Sequence, residues 1–406
     1  MSRWKVLTYG ILTDAPTNCF MRAPGSFEAV SGIEHIMEHI SVAIKRDVVM
    51  VRMANYSQEN SLPPLTVTNF LQRIDYGKRE VAVQLFNANN RWKKRGIKFT
   101  NMTFTTDYPL YFSAVVSVYH GDGSVVLNIG GIEIGQGLFT RMAQVAAREL
   151  NVSVDKVTII PSFNFATPNT FATVASVSTE CCAYSVLMAC NQIKGRLDPV
   201  RADFPNGTWE HIITEAYKRG ILLQASYMTG PTTPGITPYP VFGMAAIEVE
   251  VDILTGRKWI VRADVFEDCG RSINPALDVG QVEGAFIQAL SLWSLEDTIY
   301  DEKTGKLLNY RTWNYKIFGA KDIPNDYRIY LRRGSINPHG VLGSKAVSEP
   351  PSCMGYVIVC ALREAIQASR HDSGYNTDTF LNIDVPVTNE NVVKAADIRI
   401  DDFRLY

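Results

Sequence analysis

Ser344-Lys345-Ala346-Val347-Ser348-Glu349-Pro350-Pro351-Ser352-Cys353 leads into an apolar run that extends to about His371. In that run Met354, Val357, Ile358, Ala361, Leu362, Ala365 and Ile366 recur at the i, i+3, i+4, i+7 spacing of a helix buried along one side. Pro351 suits a first helical position, where its missing N–H would have no partner anyway, and each proline biases the residue before it towards extended backbone. Glu349 is therefore expected in extended chain just ahead of a helix N-terminus. Unpaired N–H groups and the helix dipole favour an ionised carboxylate there by roughly 0.3–1 kcal/mol. A stiffly mounted, charged carboxylate is what a general base requires. The plainer reading of a lone glutamate beside Pro-Pro is an N-terminal charge that completes a helix.

Moving back along the chain, Asp278 to about Ser294 reads as a helix with Gln281 in its first turn, and Asp301-Glu302-Lys303-Thr304-Gly305 as a turn. Ile247, Val249 and Val251 alternate with Glu248, Glu250 and Asp252, the pattern of a strand, and Leu254-Thr255-Gly256-Arg257 turns it into a hairpin with Trp259 to Val265. A helix over Thr208 to Lys218 ends at Gly220. In Ala172-Thr173-Val174-Ala175-Ser176-Val177-Ser178, small and hydroxyl residues start another helix, with Ser176 or Ser178 as the simple N-cap. Gly130-Gly131-Ile132-Glu133-Ile134-Gly135-Gln136-Gly137 opens a helix carrying Met142, Val145, Ala146 and Leu150. Glycines at a strand-to-helix turn let backbone N–H groups approach an anion, although this is not the dinucleotide spacing.

Further upstream, Ile97 to Ile129 is rich in strand formers and Thr66 to Asn89 reads as one helix. Arg91 to Arg95 is expected to be a solvated connector. A helix from Ser26 has Ile33, Met37 and Ile40 on its core side, and Thr13 to Asn18 is irregular. His35 and His39 stand at the i, i+4 spacing of a metal pair, but no third ligand lies nearby, so they read as surface or satisfied core residues. Strands and helices interleave throughout, so the expected class is α+β, with mixed α and β layers.

With 46% hydrophobic and 20% charged residues over 406 positions, the chain can bury one large core or two to three ordinary ones. Its net charge of -1 and the lack of a long basic block argue against nucleic acid as a partner. The seven cysteines form no C-x-x-C and read as reduced thiols, and no run approaches a membrane span. A cytoplasmic location is expected.

Taken together, the Gly-Gly-x-x-x-Gly-Gln-Gly turn, the Ala-Ser-x-Ser helix start, Asp278-Val279-Gly280-Gln281-Val282-Glu283-Gly284-Ala285-Phe286 and Ser-Lys-Ala-Val-Ser-Glu-Pro-Pro resemble one family. Their order and spacing are similar to those of the molybdenum-cofactor region of the xanthine dehydrogenase and aldehyde oxidase family. Arg311-Thr312-Trp313-Asn314-Tyr315-Lys316 and the Pro-Gly-Ser after Arg22-Ala23 resemble the insect aldehyde oxidases in particular.

The resemblance implies that Glu349 is the active-site base of a hydroxylation of aldehydes to carboxylic acids. It implies that Arg22, Gly135, Gln136, Ala175, Ser176, Ser178 and Gln281 contact molybdopterin, and that no side chain binds the molybdenum directly. Pro24 stands where the xanthine type carries an aromatic residue that would pack on a purine, which favours aldehyde, and Phe104 and Thr105 are implied as the other wall of the substrate pocket. Ser348 stands where the family has glycine, a loss of backbone freedom. Residues 1–95 correspond to the tail of a first molybdenum-binding subdomain and a connector, and 96–406 to a second, catalytic one. The family carries two 2Fe-2S clusters and FAD in upstream domains of the same polypeptide, works as a homodimer, and is matched here over roughly its last third. Two alternatives are a truncated or degenerate copy without independent cofactor binding, and a purine hydroxylase of the xanthine dehydrogenase type.

Overall fold

The computed structural model describes residues 7–12, 19, 21–56, 62–106 and 110–403. The irregular stretch expected at 13–18 lies outside them. In chain order the elements are α1 (Ser26–Ile44), α2 (Val48–Ala54), α3 (Pro64–Arg73), α4 (Tyr76–Asn89), β1 (Lys93–Thr105), β2 (Ser113–Val118), β3 (Val125–Ile129), α5 (Leu138–Leu150), β4 (Val157–Ile159), α6 (Ser178–Asp203), α7 (Trp209–Lys218), β5 (Gln224–Met228), β6 (Pro240–Asp252), β7 (Lys258–Glu267), α8 (Pro275–Ser294), β8 (Asp326–Leu331), α9 (Pro350–Cys353), α10 (Val357–Asp372) and α11 (Asn389–Ala396). The mixed α and β layers expected from the interleaved patterns are present.

Two four-stranded sheets organise the chain, in the orders β1-β6-β7-β8 and β4-β3-β2-β5. In the first, β1, β6 and β7 run antiparallel and β8 joins β7 in parallel, with Lys93 opposite Asp252 and Thr105 opposite Pro240. Both faces are covered. Ile97, Phe99, Met244 and Ala246 pack with Phe70 of α3, Val83 of α4 and Ile74 between them, while Met102, Ala245, Ile247 and Val249 pack with α8 and α10. The period of two along each strand divides these residues between the faces. Helix α10 crosses β1 so closely that a Cβ on Gly96 would lie 2.0 Å from the Ala361 carbonyl oxygen. The second sheet buries Ala114, Val116, Leu127 and Ile129 against Met142, Val145 and Ala146 of α5 and Cys182, Val186 and Ala189 of α6.

Several local expectations change under tertiary packing. The single helix over 66–89 is interrupted at Ile74-Asp75, where Asp75 is left-handed with φ 55°. The run after Glu349 divides into α9 and α10, linked by i+3 bonds such as Val357 N–H to Met354 O at 3.1 Å. The break sets Gly355 against α8, where a Cβ would meet Ala289 Cβ at 2.3 Å. All seven apolar positions of that run are buried.

The basic stretch at 91–95 is not a solvated connector. Lys94 is completely buried and pairs with Asp372, because the segment has already entered β1 beneath α10. On α1 the core side holds Met37 together with Glu34 and Glu38, which both pair with the buried Arg52, while Ile40 is 38% exposed. His35 Nδ1 lies 2.8 Å from the Tyr356 hydroxyl and His39 stacks on Phe380 at 4.6 Å. The polar face of the β6–β7 hairpin is also covered: Arg79 of α4 bonds Glu248 at 3.0 Å and Asp264 at 2.8 Å.

All seven cysteines are free, six of them buried. Among the described residues no helix is long and apolar enough to cross a membrane.

Candidate active site

Residues from Arg22 to Glu349 converge on one cleft of about 900 Å³ of non-atom space, open solvent at its mouth included. It lies where the glycine-rich turn and the start of α6, which belong to the second sheet, face the start of α8 and the 344–349 segment. Glu349 is 8% exposed. Its backbone is helical, φ −95° and ψ −38°, rather than extended. The Ser352 N–H bonds the Glu349 carbonyl at 3.1 Å, and this turn overrides the preference that Pro350 imposes on the residue before it.

Arg22 Nη1 donates to the Ser348 carbonyl at 3.4 Å. Burial lowers the proton affinity of Arg22, and the Glu349 carboxylate opposes that shift. Ser348 does not adopt a positive φ, and its Oγ donates to Gln281 Oε1 at 3.1 Å. The side chain that replaces glycine is thus tied to α8 rather than strained. Gln281 itself sits in the second turn of α8, because Asn274 caps the helix three residues earlier than the sequence pattern suggested, accepting from Leu277 N–H at 3.2 Å.

At the start of α6 neither Ser176 nor Ser178 caps the helix; the N-cap is Val177, without a side-chain bond. Ala175 and Ser176 are left-handed in succession, φ 58° and 53°. Each such non-glycine residue costs of order 1–3 kcal/mol and persists only where its surroundings hold it. The hydroxyls of Ser176 and Ser178 and Glu180 Oε1 are buried with no hydrogen-bond partner in the protein.

The glycine-rich turn closes on itself. The Glu133 carboxylate accepts the N–H groups of Gly135 and Gly137 at 2.9 Å and of Phe139 at 3.0 Å. Gln136 bonds Ile132 O at 2.8 Å and receives Ile134 N–H at 2.7 Å. The donors expected to face a phosphate are thus engaged by an acidic side chain of the same turn.

Arg22, Gln136, Ala175, Ser176, Ser178, Gln281 and Glu349 line the cleft, while Gly135, Pro24, Phe104 and Thr105 do not. Pro24 is exposed, Phe104 is buried in the core between β1 and α10, and Thr105 is exposed at the end of β1. Sequence reasoning missed Arg141, Asp278, Glu180, Tyr239 and Lys345, which also line it. Arg141 Nη2 bonds Asp278 Oδ1 at 2.6 Å and so ties α5 to α8 across the cleft floor. Burial raises the proton affinity of Asp278, and Arg141 opposes this. Helical spacing held part of this signal, since Asp278 is three residues before Gln281 and Arg141 is four after Gly137.

Comparison with known proteins matches residues 69–324 to the molybdopterin cofactor-binding domain. A xanthine dehydrogenase of Drosophila pseudoobscura pseudoobscura is 33% identical over 94% of this chain and 30% of its own length. The xanthine dehydrogenase/oxidase of Mus musculus is 34% identical over 96% of this chain and 31% of its own. The chain thus spans about 30% of the length of these relatives. The reconstituted CO dehydrogenase from Oligotropha carboxidovorans superposes with a TM-score of 0.79 at 21% identity, over 92% of this chain and 51% of that one. The lining fits the cofactor that such a domain holds: buried hydroxyls without protein partners and amide groups beside them suit a ligand with many heteroatoms. On these grounds the chain belongs to the xanthine dehydrogenase/aldehyde oxidase family and carries its molybdopterin-binding domain.

Proposed function

We propose that the chain forms the cofactor-holding and proton-accepting part of an oxidoreductase that hydroxylates aldehydes to carboxylic acids, with Glu349 as the base. The observation that carries this reading is placement: a buried carboxylate stands on the wall of the cleft that presents the unpartnered hydroxyls of Ser176 and Ser178. Molybdopterin, when bound, supplies the molybdenum centre that takes up the two electrons released as a water oxygen joins the aldehyde carbon.

The chain's own residues do the rest. Ser176 and Ser178 offer their hydroxyls, Gln281 its amide and Ala175 its backbone to hold the cofactor. The resemblance adds Gly135 and Gln136, which would have to exchange their bonds within the turn for bonds to the cofactor. Arg22 favours the charged form of Glu349, which then accepts a proton on a carboxylate oxygen. The choice of aldehyde over purine at Pro24, and Phe104 and Thr105 as substrate wall, rest on the resemblance alone, since none of the three lines the cleft. The names of the relatives favour the second reading, a purine hydroxylase.

The same proposal includes FAD and two 2Fe-2S clusters in upstream domains of a larger polypeptide, a homodimer, and a cytoplasmic location. It also includes a subdomain boundary at residues 95 and 96. The test is molybdenum content together with turnover of aldehyde and of hypoxanthine, using an artificial electron acceptor. Glu349→Gln should keep its molybdenum and lose about 100-fold or more in rate. An unchanged rate removes the mechanism, hypoxanthine outpacing aldehydes establishes the purine reading, and a wild-type protein without molybdenum identifies a degenerate copy.

A further inference from the structure

We propose that the cavity between the β6–β7 hairpin, α10 and the start of α11 binds a small carboxylate with an apolar body, its head held by Lys258. The cavity shares no lining residue with the Glu349 cleft, and the proposal is independent of the reading of that cleft. It contains about 820 Å³ of non-atom space, the mouth included. Its floor is Val249, Ile260, Leu295, Phe318, Ile358 and Leu362. Its charged lining is Arg257, Lys258 and Lys321 against one carboxylate, Asp322.

Of the three cations Lys258 is the half-buried one, while Arg257 and Lys321 are exposed. None of them forms an ion pair: among the described residues, none of their side-chain nitrogens has a carboxylate oxygen within 4.0 Å. Lys258 Nζ has one polar partner, the neutral Asn389 Oδ1, at 3.0 Å. Asp322 is committed to its own turn, where Oδ2 accepts the Gly319 N–H at 2.8 Å. Burial pushes the Lys258 ammonium down to about 8, with only partial relief from Asp322, which is the behaviour of a desolvated cation short of an anion. The frame is built before any ligand arrives. A Cβ on Gly256 would lie 2.0 Å from the Asn389 carbonyl oxygen, so the hairpin turn presses against the first residue of α11 and presents Asn389 to Lys258.

Two unmet demands define the occupant. Lys258 calls for an anionic head, and Leu295 and Phe318, the two apolar lining side chains that are not already buried, gain if a hydrocarbon body displaces water from them. Inorganic phosphate meets the first demand alone and a neutral alcohol the second alone. A fatty or aromatic monocarboxylate meets both, in the manner of a pocket that is mostly apolar with a few placed polar groups.

The probe is octanoate, titrated into the 406-residue chain by calorimetry, with octan-1-ol and inorganic phosphate in parallel. Trp259, which carries the Arg257 guanidinium 5.0 Å from its ring centre at the cavity wall, offers a fluorescence readout of the same event. Octanoate should saturate one site per chain, more tightly than either control. Lys258→Met should weaken it by about tenfold or more through loss of a charge-assisted bond. The melting midpoint of Lys258→Met should be no lower than that of the parent, because an under-paired cation has been removed. Lys218→Met, at an exposed lysine of α7, should bind like the parent. Absence of saturable binding, undiminished binding to Lys258→Met, or phosphate or octan-1-ol binding as tightly as octanoate overturns the proposal.

Discussion

Tyr239 donates its hydroxyl proton to Glu180 Oε2 at 2.7 Å and accepts the Ala346 N–H at 3.0 Å, so one phenol joins the first turn of α6 to the segment that carries Glu349. Tyr239 and Glu180 are 4% and 6% exposed. Burial pushes Glu180 up from 4.5 to about 7, although the Tyr239 bond works the other way. The folded protein therefore holds a proton that the unfolded chain has already released. The stability that Glu180 contributes is complete below pH 4.5 and is lost as pH rises through about 7. Glu180→Gln should flatten that loss by up to about 3 kcal/mol, measured as urea stability at pH 5 and pH 7.5. Parallel pH profiles for parent and variant would count against the assignment. Tyr239→Phe should cost roughly 1–3 kcal/mol by leaving Ala346 N–H and Glu180 without their partner.

The serines at the start of α6 should show opposite effects on folding and on loading. Ser176→Ala and Ser178→Ala each remove a buried hydroxyl that has no protein partner, so the cofactor-free chain should gain about 1 kcal/mol in denaturant stability. The same variants should hold less molybdenum after loading. A variant that loses stability in the cofactor-free form would show that its hydroxyl supports the fold instead.

Glu267 is completely buried at the end of β7, and neither carboxylate oxygen has a hydrogen-bond partner in the protein. Burial, with Asp278 and Asp268 nearby, holds its proton affinity well above the ordinary value. The sign is that of a raised acid: its contribution to stability is present below the unfolded value near 4.5 and falls as pH rises. Glu267→Met should therefore raise stability at pH 7 by roughly 1–3 kcal/mol and by less at pH 4.5. Thermal melts at the two pH values check the difference, and equal gains would contradict the protonation argument.

Gly355 and Ala289 form the contact that seats α9 on α8. Gly355→Ala places a Cβ 2.3 Å from Ala289 Cβ and 3.1 Å from the Ala289 backbone carbon. Overpacking of this kind should cost roughly 1–3 kcal/mol, and movement of α9 should carry Glu349 with it. Adding Ala289→Gly should recover part of the loss, because the side-chain clash goes and the backbone clash stays. A double-mutant cycle reads this directly, and strict additivity of the two changes would refute the contact argument.

The separation between what was legible in the chain and what was not follows the range of the interactions. The α10 face, the helix after Gly137, the helix from Thr208 to Lys218 and the turn at Gly256 were all readable from the residues, and each stands where expected to within a residue. These features depend on neighbours within a few positions, and helix and strand repeat at 3.6 and 2 residues, so the order of residues along the chain by itself determines them. The same holds for the motif set around Gln136, Ser176, Gln281 and Glu349, whose residue identities pointed to one family.

What the residues could not decide was set by packing between distant segments. Lys94 looked like surface until β1 was laid beneath α10, and Glu349 looked extended until Ser352 closed a turn on it. The bond from Arg141 to Asp278 joins residues 137 positions apart, and that from Tyr239 to Glu180 residues 59 apart. No local period encodes such pairs. Only the tertiary structure, by docking α5 and α6 of one sheet against α8 and the Glu349 segment of the other, buries these charges together and shifts their proton affinities through desolvation.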